Sequence, residues 1–346
     1  MKRNDKNEDK LDLLEQEYEK LQELYVKPGR RLKKKERKSR KSGLELRKGR
    51  VLEVYTNNHY RVQIGDEECV CPLSGRYKNV EFDGRTVIAI GDYVNVDFSA
   101  TPRIEEILER ENHLKRFIRV GNSLIEVIMV SNIDQIIITS SIVEPALNLG
   151  LVDRYYCSVK VEGILPIICI NKIDLVDDLK EVRAACEYYE KCGIKVIYTS
   201  ATTGEGIDEL RELLKDKESA FSGPSGSGKS SLINAIEPQL DLKVGEVSEA
   251  TSKGVHTTTS GSLLPWSFGG YLIDTPGIRS FGLDSSYKDL IPRVFPGFDE
   301  FAVYCRFGDC KHLGEIGCNV LELVEKGEIP EERYASYHNI MDSFDD

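Results

Sequence analysis

No apolar run in this sequence approaches the roughly 18 residues that a membrane-spanning helix needs, so a span is not expected. The chain is charged from its second residue, which does not suit a secretory signal and points to the cytoplasm. A disulfide framework is missing as well. Nine cysteines spread over 346 residues do not make a small stapled scaffold. Cys157, Cys169, Cys186 and Cys192 lie in apolar or helical contexts and read as small buried side chains. There is no surplus of positive charge. A net charge of −11 excludes a surface coated in basic residues. No internal repeat is visible.

Charged residues make up 30% and apolar ones 40% of the chain, which suits a globular protein with substantial cores. The length exceeds one typical domain, so about two or three are expected. The charge is uneven. Residues 30–41 read RRLKKKERKSRK, with Glu36 as the only acid. That run suits a solvated tail or a basic arm for nucleic acid. Before it, Leu11, Leu14, Tyr18, Leu21 and Tyr25 recur at helical spacing, and Lys27-Pro28-Gly29 ends the stripe.

From about residue 46 to 109, short β-rich pieces appear at 49–55, 60–64, 68–72, 86–90 and 93–98. Asn57-Asn58, Gly65-Asp66, Asp83-Gly84 and Gly91-Asp92 punctuate them. This predicts a small barrel, with the OB-fold as the obvious candidate. Arg76, Tyr77, Lys78 and Arg85 are candidates for its binding face. From about residue 133 strands and helices alternate, which predicts a parallel sheet covered on both faces. Strands are expected at 135–140, 164–170, 195–199 and 271–273, and helices at 150–162, 179–192, 206–214 and 230–236. After about residue 285 the pattern fades into a region rich in Phe, Tyr and Cys, ending in helices near 320–326 and 331–341.

Gly223-Pro224-Ser225-Gly226-Ser227-Gly228-Lys229-Ser230-Ser231 fits G-x-x-x-x-G-K-[ST]. Its glycines let backbone N–H groups converge on phosphate oxygens at the start of a helix. Lys229 would reach the β- and γ-phosphates, and Ser230 would ligate Mg²⁺. Only Ala220 and Phe221 precede it as an apolar approach, so a short strand is expected there. Asp274-Thr275-Pro276-Gly277 follows Tyr271-Leu272-Ile273. Asp274 can hold Mg²⁺ or its water, and Gly277 can offer an N–H to the γ-phosphate.

Read alone, the loop suits an ABC-type ATPase or a nucleotide kinase. Asn171-Lys172-Ile173-Asp174, at the end of the strand ILPIICI, decides the base. The Asp174 carboxylate can accept from guanine N1–H and the 2-amino group, a donor pair adenine lacks. Asn171 can tie the base pocket to the phosphate loop, and the Lys172 stem can cover the base. Thr199-Ser200-Ala201 ends the next strand, where the Ala201 N–H favours guanine O6. Together these motifs point to GTP. The Leu-Ser-Gly-Gly-Gln segment of ABC proteins is missing after the loop. Its nearest match, Leu73-Ser74-Gly75-Arg76, lies upstream.

The order of the motifs is unusual: base motifs first, phosphate loop next, Asp-Thr-Pro-Gly last. A circular permutation keeps the same sheet while moving the termini. On these residues the chain resembles the circularly permuted GTPases of the RsgA (YjeQ/YloQ) family, from about Leu46 to the C-terminus. The resemblance implies an α/β, circularly permuted P-loop GTPase domain over 113–284. It implies an OB-fold β-barrel over 46–112 and a zinc-binding, mainly helical region over 285–346, with 1–45 as a charged helix and basic linker outside it. It further implies slow GTP hydrolysis activated by the small ribosomal subunit, binding to that subunit's rRNA, and a role late in its maturation. A monomer is expected.

Cys305-x4-Cys310-x-His312-x5-Cys318 supplies three thiolates and an imidazole, a complete set for one structural zinc ion. The surrounding segment is poor in apolar residues, so a metal can substitute for core. The same spacing is the family's zinc motif. Cys69-Val-Cys71 is too tight for a normal ligand pair and reads as strand. Gly254-Val255-His256-Thr257-Thr258-Thr259 resembles the family's switch, with Val255 where Arg is frequent. Thr257 or Thr258 would complete the Mg²⁺ shell, and the sequence does not choose between them. Ras-like enzymes place a Gln just after D-x-x-G; here it is Ile278, which cannot bond water. Slow turnover and activation by a partner follow, with His256 as the candidate near the water or as a structural switch residue. A permuted GTPase serving the large subunit and a GTP-dependent adaptor that barely hydrolyses remain as alternatives.

Overall fold

The computed structural model describes residues 43–55, 58–77, 87–120, 123–242, 261–275, 283 and 285–344. The amphipathic stripe of 11–25 and the basic run of 30–41 lie outside these residues, as do Lys78 and Arg85.

Five strands open the described chain: β1 (Leu46–Tyr55), β2 (His59–Ile64), β3 (Glu67–Pro72), β4 (Tyr93–Asp97) and β5 (Arg103–Ile107). β1 pairs with β2 and β4, β2 with β3, and β4 with β5, all antiparallel. A parallel bridge from Leu73 to Ile104 closes the barrel. Val51, Tyr60, Val62, Cys71, Val94, Val96 and Ile104 fill it. In β4 the buried Val94 and Val96 alternate with half-buried Tyr93 and Asn95, as the pleat requires. The barrel is consistent with an OB-fold.

One expected strand is corrected here. Of residues 86–90, Thr86 lies outside the described residues, and 87–90 form a bend and a single bridge from Ile90 to Val130. The fifth strand is β5 instead. Its sequence RIEEI hides this, because charged groups fill the positions an apolar pattern would mark. Glu105 is buried but paired with Arg103 at 2.7 Å and Arg76 at 3.4 Å, and Tyr77 donates to its carbonyl. Ile104 is buried in the barrel core, and the half-buried Ile107 packs against it.

A hairpin that sequence reasoning missed, β6 (His113–Val120) and β7 (Ser123–Ser131), leads into the main sheet. There follow β8 (Gln135–Ser141), α1 (Leu149–Lys160), β9 (Leu165–Asn171), α2 (Lys180–Lys191), β10 (Val196–Thr199), α3 (Ile207–Leu214), β11 (Glu218–Ser222), α4 (Lys229–Ile236), β12 (Ser262–Pro265) and β13 (Tyr271–Asp274). The order across the sheet is β10-β9-β8-β11-β13-β12. Each neighbouring pair is parallel except β13 with β12. Strands covered on both faces need no polar side, and β8 shows it. Ile136 and Ile138 pack towards α1 and α2 with Val152, Tyr156, Val159 and Tyr189. Ile137 packs towards α3 and α4 with Leu210, Leu214, Leu232 and Ile233.

β11 is central in space although it is late in sequence, which is the signature of the permutation. The short approach to the phosphate loop is thus a strand of five residues. Its Ala220 and Phe221 suffice because β8 and β13 flank it. One pairing, Glu53 with Ser262, joins β1 to β12 and makes barrel and sheet continuous.

The C-terminal part carries α5 (Ile291–Val294), α6 (Phe298–Ala302), α7 (Asn319–Glu325) and α8 (Glu331–Asp342). Phe295, Phe298, Val320, Ile329, Tyr337 and Met341 pack with Cys157 of α1 and Tyr188 of α2. Among the described residues no helix is long and apolar enough to cross a membrane.

Candidate nucleotide and metal sites

The phosphate loop leaves β11 at Ser222 and enters α4 at Lys229. Two of its glycines are required by space as well as by backbone. Gly223 has φ +135°, and a Cβ there would lie 2.0 Å from the Thr139 carbonyl oxygen. Gly228 has φ +91°, and a Cβ would lie 2.3 Å from Asn171 Nδ2. Lys229 Nζ folds back over the loop and donates to the Gly223 and Pro224 carbonyls, each at 2.8 Å. Ser225 and Gly226 are exposed, Pro224 is half-buried, and Ser227 is buried. Lys229, Ser230, Asp274 and Thr275 line one crevice with Ile233 and Leu272. Ser231 sits one residue on in α4, half-buried. Thr275 Oγ1 is buried there with no hydrogen-bond partner among the described residues.

The base motifs end the neighbouring strands. Asn171, the last residue of β9, is 1% exposed. Its Nδ2 donates to the Ser227 carbonyl at 2.9 Å, and its Oδ1 accepts from Thr199 Oγ1 at 3.2 Å. The amide is thus held from both sides, and it holds the phosphate loop in turn. Lys172 takes a left-handed backbone, φ 64°, and its Nζ donates to the Glu144 carbonyl. Ile173 is buried in the core, whereas Asp174 is exposed in the turn that follows. Ser200 N donates to the Glu205 carbonyl at 2.9 Å, and Ser200 Oγ accepts from the amides of Thr202 and Thr203. Those bonds shape the turn that carries Ala201, which is half-buried.

Two contributors were missed. Thr199 stood in the quoted Thr-Ser-Ala motif, but its orienting bond to Asn171 becomes visible only once the ends of β9 and β10 lie side by side. The Glu144 carbonyl left no trace, because a backbone acceptor is independent of residue type. His256, Thr257, Thr258 and Gly277 lie outside the described residues, as does Ile278.

In the C-terminal part, the ligand atoms of Cys305, Cys310, His312 and Cys318 all lie within 4.8 Å of one another. His312 Nδ1 is 3.3 Å from Cys318 Sγ and 3.6 Å from Cys305 Sγ, and the two sulfurs are 4.0 Å apart. Metal–sulfur bonds of about 2.3 Å in a tetrahedron demand edges of about 3.8 Å, so a metal ion fits. His312 Nε2 faces the Pro292 carbonyl at 3.1 Å, which fixes the ring with Nδ1 inward. The Asn319 amide donates to Cys305 Sγ at 3.3 Å. Four protein ligands would leave no open position, so an ion held here would be structural.

The sequence model of the RsgA GTPase family matches residues 107–284. This chain belongs to the RsgA GTPase family. It is 40% identical over 308 residues to the small ribosomal subunit biogenesis GTPase RsgA of Chlorobaculum parvum, covering 86% of this chain and 98% of that protein. The crystal structure of YjeQ from Thermotoga maritima superposes with a TM-score of 0.68 at 33% identity, covering 86% of this chain and 98% of that one. The crystal structure of YloQ, described as a circularly permuted GTPase, gives 0.69 at 27%, covering 89% and 98%. Like other RsgA GTPases, the chain is a GTP-hydrolysing enzyme, and that chemistry uses Mg²⁺ with GTP.

Proposed function

We propose that this chain binds GTP across the phosphate loop and the two base motifs, and hydrolyses it in the maturation of the small ribosomal subunit. Asn171 carries the reading. One buried amide joins the base-reading strand to the phosphate loop, so both ends of a guanine nucleotide meet one rigid frame. The names of the relatives supply the small subunit as the partner.

In this reading, entry of phosphate gives Lys229 an anionic partner in place of two carbonyls, a stronger bond. Gly223, Pro224, Ser225, Gly226, Ser227, Gly228 and Ser231 form the cradle. Asp174, Ser200, Ala201 and the Lys172 stem read and cover the base, beside Ile173. Ser230, Asp274 and Thr257 or Thr258 hold Mg²⁺, which neutralises charge on the β- and γ-phosphate oxygens. Gly277 meets the γ-phosphate, and His256 stands near the attacking water. The Cys305, Cys310, His312 and Cys318 centre holds Zn²⁺. The barrel, the cysteine region and the basic run of 30–41 contact rRNA, and the protein works in the cytoplasm as a monomer.

The test is GTP turnover alone, then with purified small or large subunits. Stimulation by small subunits only is the expected result; stimulation by large subunits, or by neither, overturns the reading. His256→Ala is expected to keep GTP affinity while losing the stimulated rate, and an unchanged stimulated rate removes His256 from the mechanism.

A further inference from the structure

Arg50, in β1 of the barrel, is 8% exposed and reaches out of the barrel rather than into solvent. Its guanidinium lies between two rings, 4.9 Å from the centre of Tyr93 and 5.7 Å from that of Tyr271 on β13. One nitrogen donates to Tyr93 Oη at 3.0 Å and to Glu218 Oε1; the other donates to the Asn132 carbonyl at 3.0 Å, between β7 and β8. Glu218 is the first residue of β11, the strand that runs directly into the phosphate loop. Its backbone amide donates to Asp134 Oδ2 at 2.7 Å. A single barrel side chain therefore grips the root of the phosphate-loop strand, the neighbouring β13 and the turn that leads into β8.

The grip is incomplete. Arg50 Nε and Glu218 Oε2 are buried without hydrogen-bond partners among the described residues. A buried polar atom left unpaired costs free energy that a shift of the joint can recover. A second contact runs the same way, from Tyr271 Oη to Gln63 of β2. Removing the barrel's hold on Glu218 would leave the base and phosphate contacts intact, since none of the residues described above as holding nucleotide touches this cluster.

We propose that Arg50 and Glu218 are positioning residues through which the barrel sets the phosphate-loop strand, so that a load on the barrel is felt at the site of GTP hydrolysis. The proposal rests on the reading that the small subunit stimulates turnover. It predicts a defect confined to stimulated turnover.

Glu218→Gln and Arg50→Lys, as full-length metal-loaded protein, test it. GDP affinity, basal turnover and the subunit concentration for half-maximal stimulation are expected within twofold of wild type. The stimulated kcat is expected to fall at least fivefold. A merely structural role would lower the melting temperature without changing the ratio of stimulated to basal rate. Stimulated kcat within twofold of wild type in both folded variants overturns the proposal. Amide exchange reads the joint without the subunit. Faster exchange across 219–230 in both variants, with β9 unchanged, is expected, and unchanged exchange there overturns it. A wild type that small subunits do not stimulate defeats the functional reading instead, and leaves the exchange result to decide this one.

Discussion

At the C-terminal junction of the sheet, Asp153 of α1 receives Arg333 of α8 at 2.7 Å and the Tyr189 hydroxyl of α2 at 2.5 Å. Arg333 also donates to that hydroxyl at 2.7 Å, closing a triangle. At the barrel junction, Arg50 and Glu218 meet with one atom of each left over. The first pair is buried and the second joins a buried Arg50 to a half-buried Glu218, and both bring together parts remote in sequence. In the first, both carboxylate oxygens are paired, one with a guanidinium nitrogen and one with the phenol, which that same nitrogen also meets, and the aromatic core of Phe295, Phe298 and Tyr337 lies beside them. In the second, much of the joint is ring faces and one guanidinium. A buried charge is tolerated when its partners are complete, and costs stability when they are not. The C-terminal junction is a weld and the barrel junction a joint.

The largest effect is expected from breaking the weld. Asp153→Ala strands the Arg333 guanidinium in a buried site, at a cost of about 3–5 kcal/mol. A fall in melting temperature larger than that of any Glu218 variant is expected by scanning calorimetry; an equal fall erases the distinction between the junctions. Next comes the metal centre. Stripping the ion with a chelator, or Cys310→Ala, is expected to expose 285–344 to protease while GDP still binds with near-native affinity. One ion per chain should be lost, measured by metal analysis. Loss of GDP binding in parallel would show that the centre also supports the sheet.

The smallest effect sharpens the joint itself. Burial pushes the Glu218 carboxyl up to about 7, helped by Asp134 and opposed by Arg50, with Tyr93 and Tyr271 the other titratable groups around it. A carboxyl whose folded value lies above its unfolded one holds its proton more tightly when folded. Its ionisation therefore destabilises the fold as pH rises from about 4.5 to about 7. Wild type is expected to lose melting temperature relative to Glu218→Gln between pH 5 and pH 8. A relative gain would show that the bond to Arg50 outweighs burial.

Chemistry was the legible part of this chain. Lys229, Asn171 and Asp274 stand out as candidates by spacing, because phosphate, guanine and Mg²⁺ would demand fixed groups at a helix start and at strand ends. The Cys305-to-Cys318 set is local for the same reason, since a metal gathers ligands from one short loop. Apolar periodicity placed the helices of the main sheet to within a few residues, and motif order alone exposed the permutation. Periodicity failed at β5, where Glu105 and Glu106 separate the two apolar residues, Ile104 and Ile107, that pack in the barrel. It failed again at the hairpin of β6 and β7.

Sequence by itself determined which groups are proposed to handle the nucleotide and the metal, and that their order along the chain is permuted. Only the tertiary structure decided that Thr199 steadies Asn171, that Arg50 finds Glu218 across 168 residues, and that Asp153 finds Arg333 across 180. Local propensity and ligand chemistry are written in neighbouring residues. A contact between distant residues exists only once the sheet has brought them together, and it leaves no period, spacing or motif behind.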